Sequence, residues 1–295
     1  MNPGTIETFD LALPHGITLS CRAAGAPGAP LLVFLHGFPE GAFVWDELLA
    51  HFAPRYRCIA PNLRGFERSS SPAEVEAYRA KHLVADIRAL IAAQGSRAAA
   101  LVAHDWGGAV AWSLAALHPE LLERLVIVNS PHPATFLREL RDNPAQQAAS
   151  AYMNFLCRPD AQALLAADDF ARLWPFFELM GASWLTEPVR ERYRAVWRHG
   201  LTGACNYYRA SPLRPPTGPG DAIHSLQLPA ATVTVRVPTH VVWAEADIAL
   251  PPALLDGLEA FVPQLTLTRV PGATHWIVHE RPALVAAEIE RALAA

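Results

Sequence analysis

The sequence predicts an α/β fold, with a mostly parallel sheet flanked by helices and interrupted once by a helical insertion. Short apolar runs rich in Val, Ile and Leu alternate with helical patterns in both end regions of the chain. Between about residues 131 and 220 no strand-like run occurs, and aromatic side chains within helical patterns take its place. The chain has 295 residues, 52% of them hydrophobic, which is enough for a large core domain that carries an insertion.

Four short apolar runs predict the strands of the first half of the chain. They are Leu31–Leu35, the weaker Arg57–Pro61, Ala98–Ala103 and Leu125–Val128. Helical spacing predicts two helices here, each followed by a residue that ends it: Tyr78–Gln94 before Gly95, and Trp106–His118 before Pro119.

The alternation of strands and helices resumes after residues 211–220, a segment rich in Pro and Gly that is typical of a linker. Two further strands and two further helices are predicted there: strands Thr239–Trp243 and Leu265–Val270, and helices Pro252–Phe261 and Arg281–Leu293. We therefore expect a core domain formed by residues 1–131 and 221–295, with a helical cap over 132–220.

Charge and cysteine usage narrow the class of protein. The formal net charge is −4 without a long run of one sign, which argues against nucleic acid or an anionic membrane as the main partner. The four cysteines are scattered and lack the spacing of zinc ligands, so we expect reduced thiols and no metal. The sequence shows neither a signal peptide nor an apolar run of about 20 residues. We expect a cytoplasmic protein, monomeric or homodimeric, that acts on a small molecule.

Asp105 is the candidate nucleophile, because it lies between a predicted strand and a predicted helix. The small residues Ala103 and Gly107 flank it two positions away on either side, which is the pattern of a nucleophile elbow. A carboxylate is charged at neutral pH and suits attack on a saturated carbon, giving an alkyl ester that must then be hydrolysed. The alternative is that Asp105 only caps the helix that follows.

His275 is the candidate base for hydrolysis of that ester. It follows the last predicted strand, at the edge of the sheet where open α/β folds bind ligands. The order nucleophile, acid, histidine along the chain points to Asp247 as the acid that orients the imidazole. Glu245 is the rival acid, and the other position for an acid, after the strand that ends at Val128, holds Asn129.

The loop after the first predicted strand contains His36-Gly37-Phe38-Pro39 and is a candidate oxyanion hole. The backbone N–H groups of Phe38 and Trp106 are the expected donors, and they would stabilise the oxyanion that forms when water attacks the ester. The alternative is an ordinary Gly-x-Pro turn.

With these elements assigned, the chain resembles the α/β-hydrolase superfamily over nearly its full length, and within it most closely the epoxide hydrolases. Five segments carry the resemblance: His36–Glu40, His104–Gly108, Asn129–Pro133, Gly203–Arg209 and Gly272–His275. The resemblance implies an α/β-hydrolase fold with a cap, and hydrolysis of an apolar epoxide to a vicinal diol without a metal or an organic cofactor.

The resemblance also implies two tyrosines that donate a proton to the epoxide oxygen. They map onto Tyr208 and, by a weaker match, onto Tyr152, and Tyr207 is the alternative candidate for such a donor. A phenol is an adequate acid for the alkoxide that ring opening releases. The remaining expected pocket residues are His36, His104, Tyr207 and Trp276, and His132 is a candidate for the pocket entrance. His36 and His104 flank the site and are expected to hydrogen-bond its loops.

Other functions remain open at this point: two kinds of dehalogenation, another hydrolase reaction on the same fold, and ligand binding without catalysis. Haloalkane dehalogenases share the ester chemistry but need halide donors, for which Trp106, Trp174, Trp184 and Trp197 are available. Fluoroacetate dehalogenases carry an Arg after the nucleophile, where this chain has Trp106, and place the acid where it has Asn129. A ligand-binding protein of the same fold without catalytic activity would tolerate loss of the triad, which is complete here.

Overall fold

The computed structural model describes residues 4–294 and contains an eight-stranded, mostly parallel sheet. The strands are β1 (Glu7–Ala12), β2 (Thr18–Ala24), β3 (Leu31–Leu35), β4 (Arg57–Pro61), β5 (Ala100–His104), β6 (Leu125–Val128), β7 (Thr239–Ala244) and β8 (Leu265–Val270). Their order in the sheet is β1-β2-β4-β3-β5-β6-β7-β8. The ends of the expected core domain, residues 1–3 and 295, lie outside the described residues.

The first two strands were not expected from the sequence. β1 and β2 pair antiparallel, and β2 pairs antiparallel with β4, whereas all the remaining pairs are parallel. β1 lies at the edge of the sheet and is largely exposed, and polar residues such as Ser20 and Arg22 interrupt the apolar residues of β2. These strands therefore lack the continuous apolar run that identifies a strand buried on both faces.

Thirteen α-helices lie within the described residues. Three precede β6: α1 (Asp46–Phe52), α2 (Ala80–Gln94) and α3 (Asp105–Leu117). Eight lie between β6 and β7: α4 (Pro133–Asp142), α5 (Pro144–Ala149), α6 (Tyr152–Leu156), α7 (Ala161–Phe170), α8 (Pro175–Glu178), α9 (Glu187–Trp197), α10 (Thr202–Ala210) and α11 (Ala230–Val233). Two close the chain: α12 (Ile277–Glu280) and α13 (Pro282–Ala294). Within residues 4–294, no helix has both the length and the apolar character that a membrane crossing requires.

One predicted helix was wrong. The segment Pro252–Phe261 forms two short 3-10 helices, Pro252–Leu255 and Leu258–Ala260. Gly257 separates them with a φ of 74°, a left-handed conformation that a continuous helix cannot contain. The apolar residues of this segment still face the core, which explains why their spacing resembled that of a helix.

The middle strands of the sheet explain why the α/β prediction was correct. Every residue of β3, β4, β5, β6 and β7 is buried, as expected for parallel strands covered on both faces. Parallel strands end at the same edge of the sheet, and the loops after β3, β5, β6, β7 and β8 leave from that edge. The helices inserted between β6 and β7 contact it directly, because the indole N–H of Trp197 donates to the Pro39 carbonyl at 2.6 Å.

Candidate active site

Asp105 lies at a sharp turn between β5 and α3. Its φ is 50°, which is uncommon for a residue with a side chain. A Cβ at Gly107 would lie 2.5 Å from the Leu35 carbonyl oxygen, and one at Gly37 would overlap the Asp105 side chain, so the turn requires glycine at both positions. The hydroxyl of Ser130 donates to the Asp105 carbonyl at 2.6 Å and fixes the turn from the neighbouring strand end.

The loop after β3 lies against the Asp105 carboxylate. The backbone N–H of Phe38 donates to Asp105 Oδ1 at 2.7 Å, and the following Phe38–Pro39 bond is cis. One carboxylate oxygen is therefore already held by a backbone donor, while Oδ2 faces His275. The N–H of Trp106, which follows the nucleophile in the first turn of α3, has no acceptor within the helix.

His275 contacts both Asp247 and Asp105. His275 Nδ1 is 2.6 Å from Asp247 Oδ2, and its Nε2 is 3.8 Å from Asp105 Oδ2. Asp247 Oδ1 accepts from the backbone N–H groups of Ala249 and Leu250 at 2.8 and 3.0 Å. The rival acid, Glu245, instead pairs with Arg269 at 3.4 Å.

The carboxylates around His275 stabilise its charged form, and His275 in turn stabilises the charged form of Asp247. Burial lowers the pKa of His275, but the carboxylates of Asp247, Asp105 and Glu40 outweigh it and raise the pKa to about 9. Burial raises the pKa of Asp247, but His275, the amide of Asn129 and the backbone N–H of Ala249 outweigh it and leave the pKa below its usual range. The pair is therefore a buried imidazolium and carboxylate when Asp105 is charged.

Tyr152 and Tyr208 come from the inserted helices and line the same space as Asp105. Their rings lie 6.1 Å apart at 77°, and the Tyr208 ring packs edge-on against Trp106 and Phe38. Burial, with the nearby Asp105 carboxylate, raises the pKa of each phenol above its usual value. Both hydroxyls therefore keep their protons beside the carboxylate and can donate them.

A second layer of polar residues lies beneath the site, and sequence reasoning did not identify it. Glu40 is fully buried and contacts three side chains: His104 at 3.2 Å, His279 at 2.9 Å and the Tyr193 hydroxyl at 2.7 Å. His104 in turn contacts the backbone carbonyl of His275 at 2.9 Å. Burial raises the pKa of Glu40, but its two histidine partners outweigh this and lower it. The one available signal was the carboxylate that directly follows His-Gly-Phe-Pro.

Asn129 is a further residue that sequence reasoning considered only as a missing acid. Its amide donates to Asp247 Oδ2 at 2.9 Å, and its carbonyl accepts from the Ala244 N–H at 2.7 Å. Asn129 therefore fixes the acid on the neighbouring strand instead of replacing it. Its φ of 39° lies in the left-handed region, which is uncommon for a residue with a side chain.

Two histidines hydrogen-bond the loops of the site, as expected, but neither is among the described residues that line the cavities with Asp105. His36 is fully buried, accepts from the Leu63 N–H at 3.0 Å and contacts the Gly37 carbonyl at 2.9 Å. Burial lowers its pKa to about 4, so the ring stays neutral and links two loops. His104 lies below His275, where its ring nitrogens face Glu40 and a carbonyl group rather than the pocket.

His132 and Tyr207 also differ from the expectation. His132 is buried, caps α4 and stacks on Phe261 at 5.1 Å, so it does not line the pocket entrance. The Tyr207 hydroxyl donates to the Arg64 carbonyl at 2.9 Å, which anchors α10 to the core, and the residue lines a cavity beside Trp106 rather than those that Asp105 lines. Trp276, in contrast, lines a cavity of about 380 Å³ together with Asp105 and His275.

Three features together define an α/β-hydrolase: the sheet order, the turn at Asp105, and the contacts that connect Asp247, His275 and Asp105. A model of the α/β-hydrolase fold family matches residues 30–282, and the chain belongs to this family. It is 35% identical over 277 residues to an AB hydrolase superfamily protein of Bacillus subtilis (strain 168), with 92% of each chain covered.

Two solved structures are similar to this one over almost the whole chain. One is an epoxide hydrolase of Bacillus megaterium in complex with an inhibitor, with a TM-score of 0.89, 30% identity and 97% of this chain and 100% of that chain covered. The other belongs to epoxide hydrolases found in metagenomes from hot environments, with a TM-score of 0.88, 38% identity and 99% of each chain covered. The resemblance to epoxide hydrolases is thereby confirmed.

Proposed function

We propose that this chain hydrolyses epoxides to vicinal diols through a covalent ester on Asp105. In the first step Oδ2 of Asp105 forms a bond to one epoxide carbon, and the bond from that carbon to the ring oxygen breaks. Tyr208 and Tyr152 hold the ring oxygen, and one of them gives it a proton. Oδ1 remains bound to the Phe38 N–H and becomes the carbonyl oxygen of the ester.

The second step hydrolyses this ester. His275 takes a proton from a water molecule, whose oxygen adds to Cγ of Asp105. The N–H groups of Phe38 and Trp106 stabilise the oxyanion on Oδ1. As the intermediate collapses the Cγ–Oδ2 bond breaks, and Oδ2 leaves with the diol after taking the remaining proton of the added water. The proton held by His275 passes to the tyrosinate and restores the neutral tyrosine.

Ester formation also prepares His275 for the second step. Asp105 is one of the carboxylates that raise the pKa of His275. Alkylation neutralises it, so the pKa of His275 falls when a base is needed. Asp247 and Asn129 keep Nδ1 of the imidazole occupied, which leaves Nε2 for the water.

We further propose that residues 132–220 act as a cap over the core formed by residues 1–131 and 221–295. The cap supplies Tyr152 and Tyr208 and covers the nucleophile with apolar side chains. Excluding bulk water protects the ester until His275 activates a single water molecule.

The observation that carries this proposal is that two tyrosines and one carboxylate, Tyr152, Tyr208 and Asp105, line the same largely apolar cavities. Halide capture needs two N–H donors that face the nucleophile. Of the expected indoles, Trp106 lines a cavity with Asp105, but Trp197 is bound to the Pro39 carbonyl, and Trp174 and Trp184 are not among the described residues that line the cavities with Asp105. The indole of Trp276, which does line one of them, is bound to the Phe176 carbonyl at 3.1 Å. Two phenols suit an alkoxide better than a halide. A binding protein without activity would not require the buried pair of Asp247 and His275, which is costly to form unless it serves chemistry.

A direct assay separates these functions. The protein is incubated with styrene oxide and 1,2-epoxyhexane and, separately, with 1-bromohexane and 1-chlorohexane, and both diol and halide are measured. We expect diol from the epoxides and little halide. Halide release without diol formation would favour the dehalogenase, and no product from any substrate would favour a binding protein.

A further inference from the structure

A cavity outside the reaction site lies where the inserted helices meet the core. This seam cavity, of about 160 Å³, is lined by residues from α1 and the segment before it, from α9 and the segment before it, and from α12 to the start of α13. No described residue of the seam cavity also lines either of the two cavities that Asp105 lines. A molecule bound there would therefore leave the reaction site free.

Most of the residues that line the seam cavity are apolar. Besides Trp184 they are Phe43, Val44, Leu48, Val189, Val278 and Pro282. The polar ones are Asp46, Glu47, Arg192 and His279. The apolar body of a small ligand therefore fits against these walls, and the few polar groups decide which polar group the ligand must carry.

Two of the polar groups, Asp46 and Arg192, already satisfy each other. The Asp46 carboxylate accepts from Arg22 at 2.7 and 2.8 Å and also from Arg192. The guanidinium of Arg192 in addition lies over the Phe43 ring, 4.5 Å from its centroid. These charges form part of the wall and do not require a charged ligand.

One donor and one acceptor at the seam cavity are unpaired. The indole N–H of Trp184 is buried and has no hydrogen-bond partner among the described residues, which is costly for a buried polar group. Its ring is held in place, because it stacks on His279 at 4.1 Å with an interplanar angle of 6°. The exposed carboxylate of Glu47 likewise forms no hydrogen bond or ion pair within the part of the chain that the structure describes.

These two unpaired groups select the polar group of a ligand. An ammonium group would pair with Glu47 but cannot accept from Trp184. A carboxylate would accept from Trp184 but would be repelled by Glu47. A hydroxyl is the smallest group that does both, because it carries one donor and two acceptor positions.

We propose that the seam cavity is a second binding site, which takes small alcohols with an apolar body. The hydroxyl group accepts from the Trp184 indole and donates to the Glu47 carboxylate. The carbon chain packs against Leu48, Val189 and Val278. This site is separate from the proposed epoxide hydrolysis and does not depend on it.

The indole N–H signals in NMR spectra of ¹⁵N-Trp-labelled protein test the site, with the Trp184 signal assigned from Trp184→Phe. Titration with 1-pentanol should shift the Trp184 signal and saturate, with a Kd of about 1–10 mM. The signals of Trp45 and Trp243 should not shift, because these indoles are also buried and unpartnered but are not among the described residues that line the seam cavity. Butyl methyl ether, an isomer of 1-pentanol that accepts but cannot donate, should bind about fivefold more weakly.

Two substitutions alter the walls of the seam cavity. Val189→Trp fills it from α9 and should abolish the saturable shift of the Trp184 signal. Glu47→Ala removes the acceptor at an exposed position, so 1-pentanol should bind only as weakly as the ether, and the ether itself as before. Glu259→Ala, the same change at an exposed position that is not among the described residues lining the seam cavity, is the matched control and should leave both affinities unchanged.

The outcomes separate this site from the reaction site. A saturable shift of the Trp184 signal that Val189→Trp abolishes and Glu47→Ala weakens supports the second site. Shifts confined to Trp106 and Trp276, which line the cavities with Asp105, would place the alcohol in the reaction site and overturn the proposal. The absence of any saturable shift, or equal binding of 1-pentanol in both variants and the unchanged protein, would overturn it as well. Diol formation from epoxides is measured separately and is not affected by these outcomes.

Discussion

The two halves of the candidate site are built in different ways. In the core half, Asp105, His275 and Asp247 follow strand ends, and each is fixed by short polar contacts of 2.6–2.9 Å. In the cap half, Tyr152 and Tyr208 lie on helices and are held by the edges of aromatic rings. The core half thus fixes charges, and the cap half presents two neutral donors. We infer that each half serves a separate step, the cap half ring opening and the core half ester hydrolysis.

The largest effect on turnover is expected from a substitution in the core half of the site. His275→Ala should still form the ester, because the Asp105 carboxylate needs no base to attack, but turnover should fall by about 10²–10⁴-fold. Mass spectrometry of the protein after mixing with styrene oxide should therefore show one substrate adduct on the peptide that contains Asp105. His51→Ala removes an exposed histidine that contacts Glu290 and should turn over normally without an adduct. A His275→Ala protein that hydrolyses epoxide at the normal rate would contradict the division.

The next largest effect is expected from substitutions in the cap half, which should slow ester formation. Tyr152→Phe and Tyr208→Phe remove one donor each, and the double variant should lose about 10²–10⁴-fold in the rate of ester formation. The decay of an ester already formed should change little, since that step uses His275. Stopped-flow measurement of both phases checks this, with Tyr56→Phe outside the site as the matched control. Equal slowing of both phases would mean that the tyrosines hold the cap in place and do not act in ring opening.

A smaller effect should come from Glu40, whose carboxylate contacts His104 beneath the core half and Tyr193 of the inserted helices. Ester decay requires neutral His275, so its rate rises with pH through the pKa of His275 in the ester form, which lies below the value of about 9 in the free protein. Glu40→Gln removes one charge that raises this pKa and should move the rising limb to lower pH. Tyr193→Phe keeps the charge but removes the contact from the cap, and should leave the limb in place. An unmoved limb in Glu40→Gln would show that Glu40 acts only on packing.

The same division explains what the sequence could predict. Strands buried on both faces, and the catalytic candidates that follow them, leave local patterns: an apolar run, a small-x-Asp-x-small turn, and a histidine after the last strand. The α/β-hydrolase prediction was therefore confirmed. The assignments of individual site residues stay predictions, although the structure brings Asp105, His275 and Asp247 together.

Features that depend on contacts between distant segments left no such pattern. Nothing local to Glu40 indicates that Tyr193 and His279, 153 and 239 positions further along the chain, will surround it. The same applies to His36, whose partner Leu63 comes from another loop. The edge strand β1 and the broken segment around Gly257 were missed because exposure and a single backbone angle, rather than periodicity, determine them.

The central claim is that Asp105 attacks the substrate and that water attacks the ester, and isotope labelling in a single turnover tests it most directly. An excess of the protein is mixed with styrene oxide in H₂¹⁸O, and the diol and the Asp105 peptide are analysed by mass spectrometry. The account predicts that the first diol carries ¹⁶O from the Asp105 carboxylate, and that the peptide gains ¹⁸O. A diol that carries ¹⁸O in its first turnover, with an unlabelled Asp105 peptide, would mean that water attacks the epoxide directly and would contradict the account.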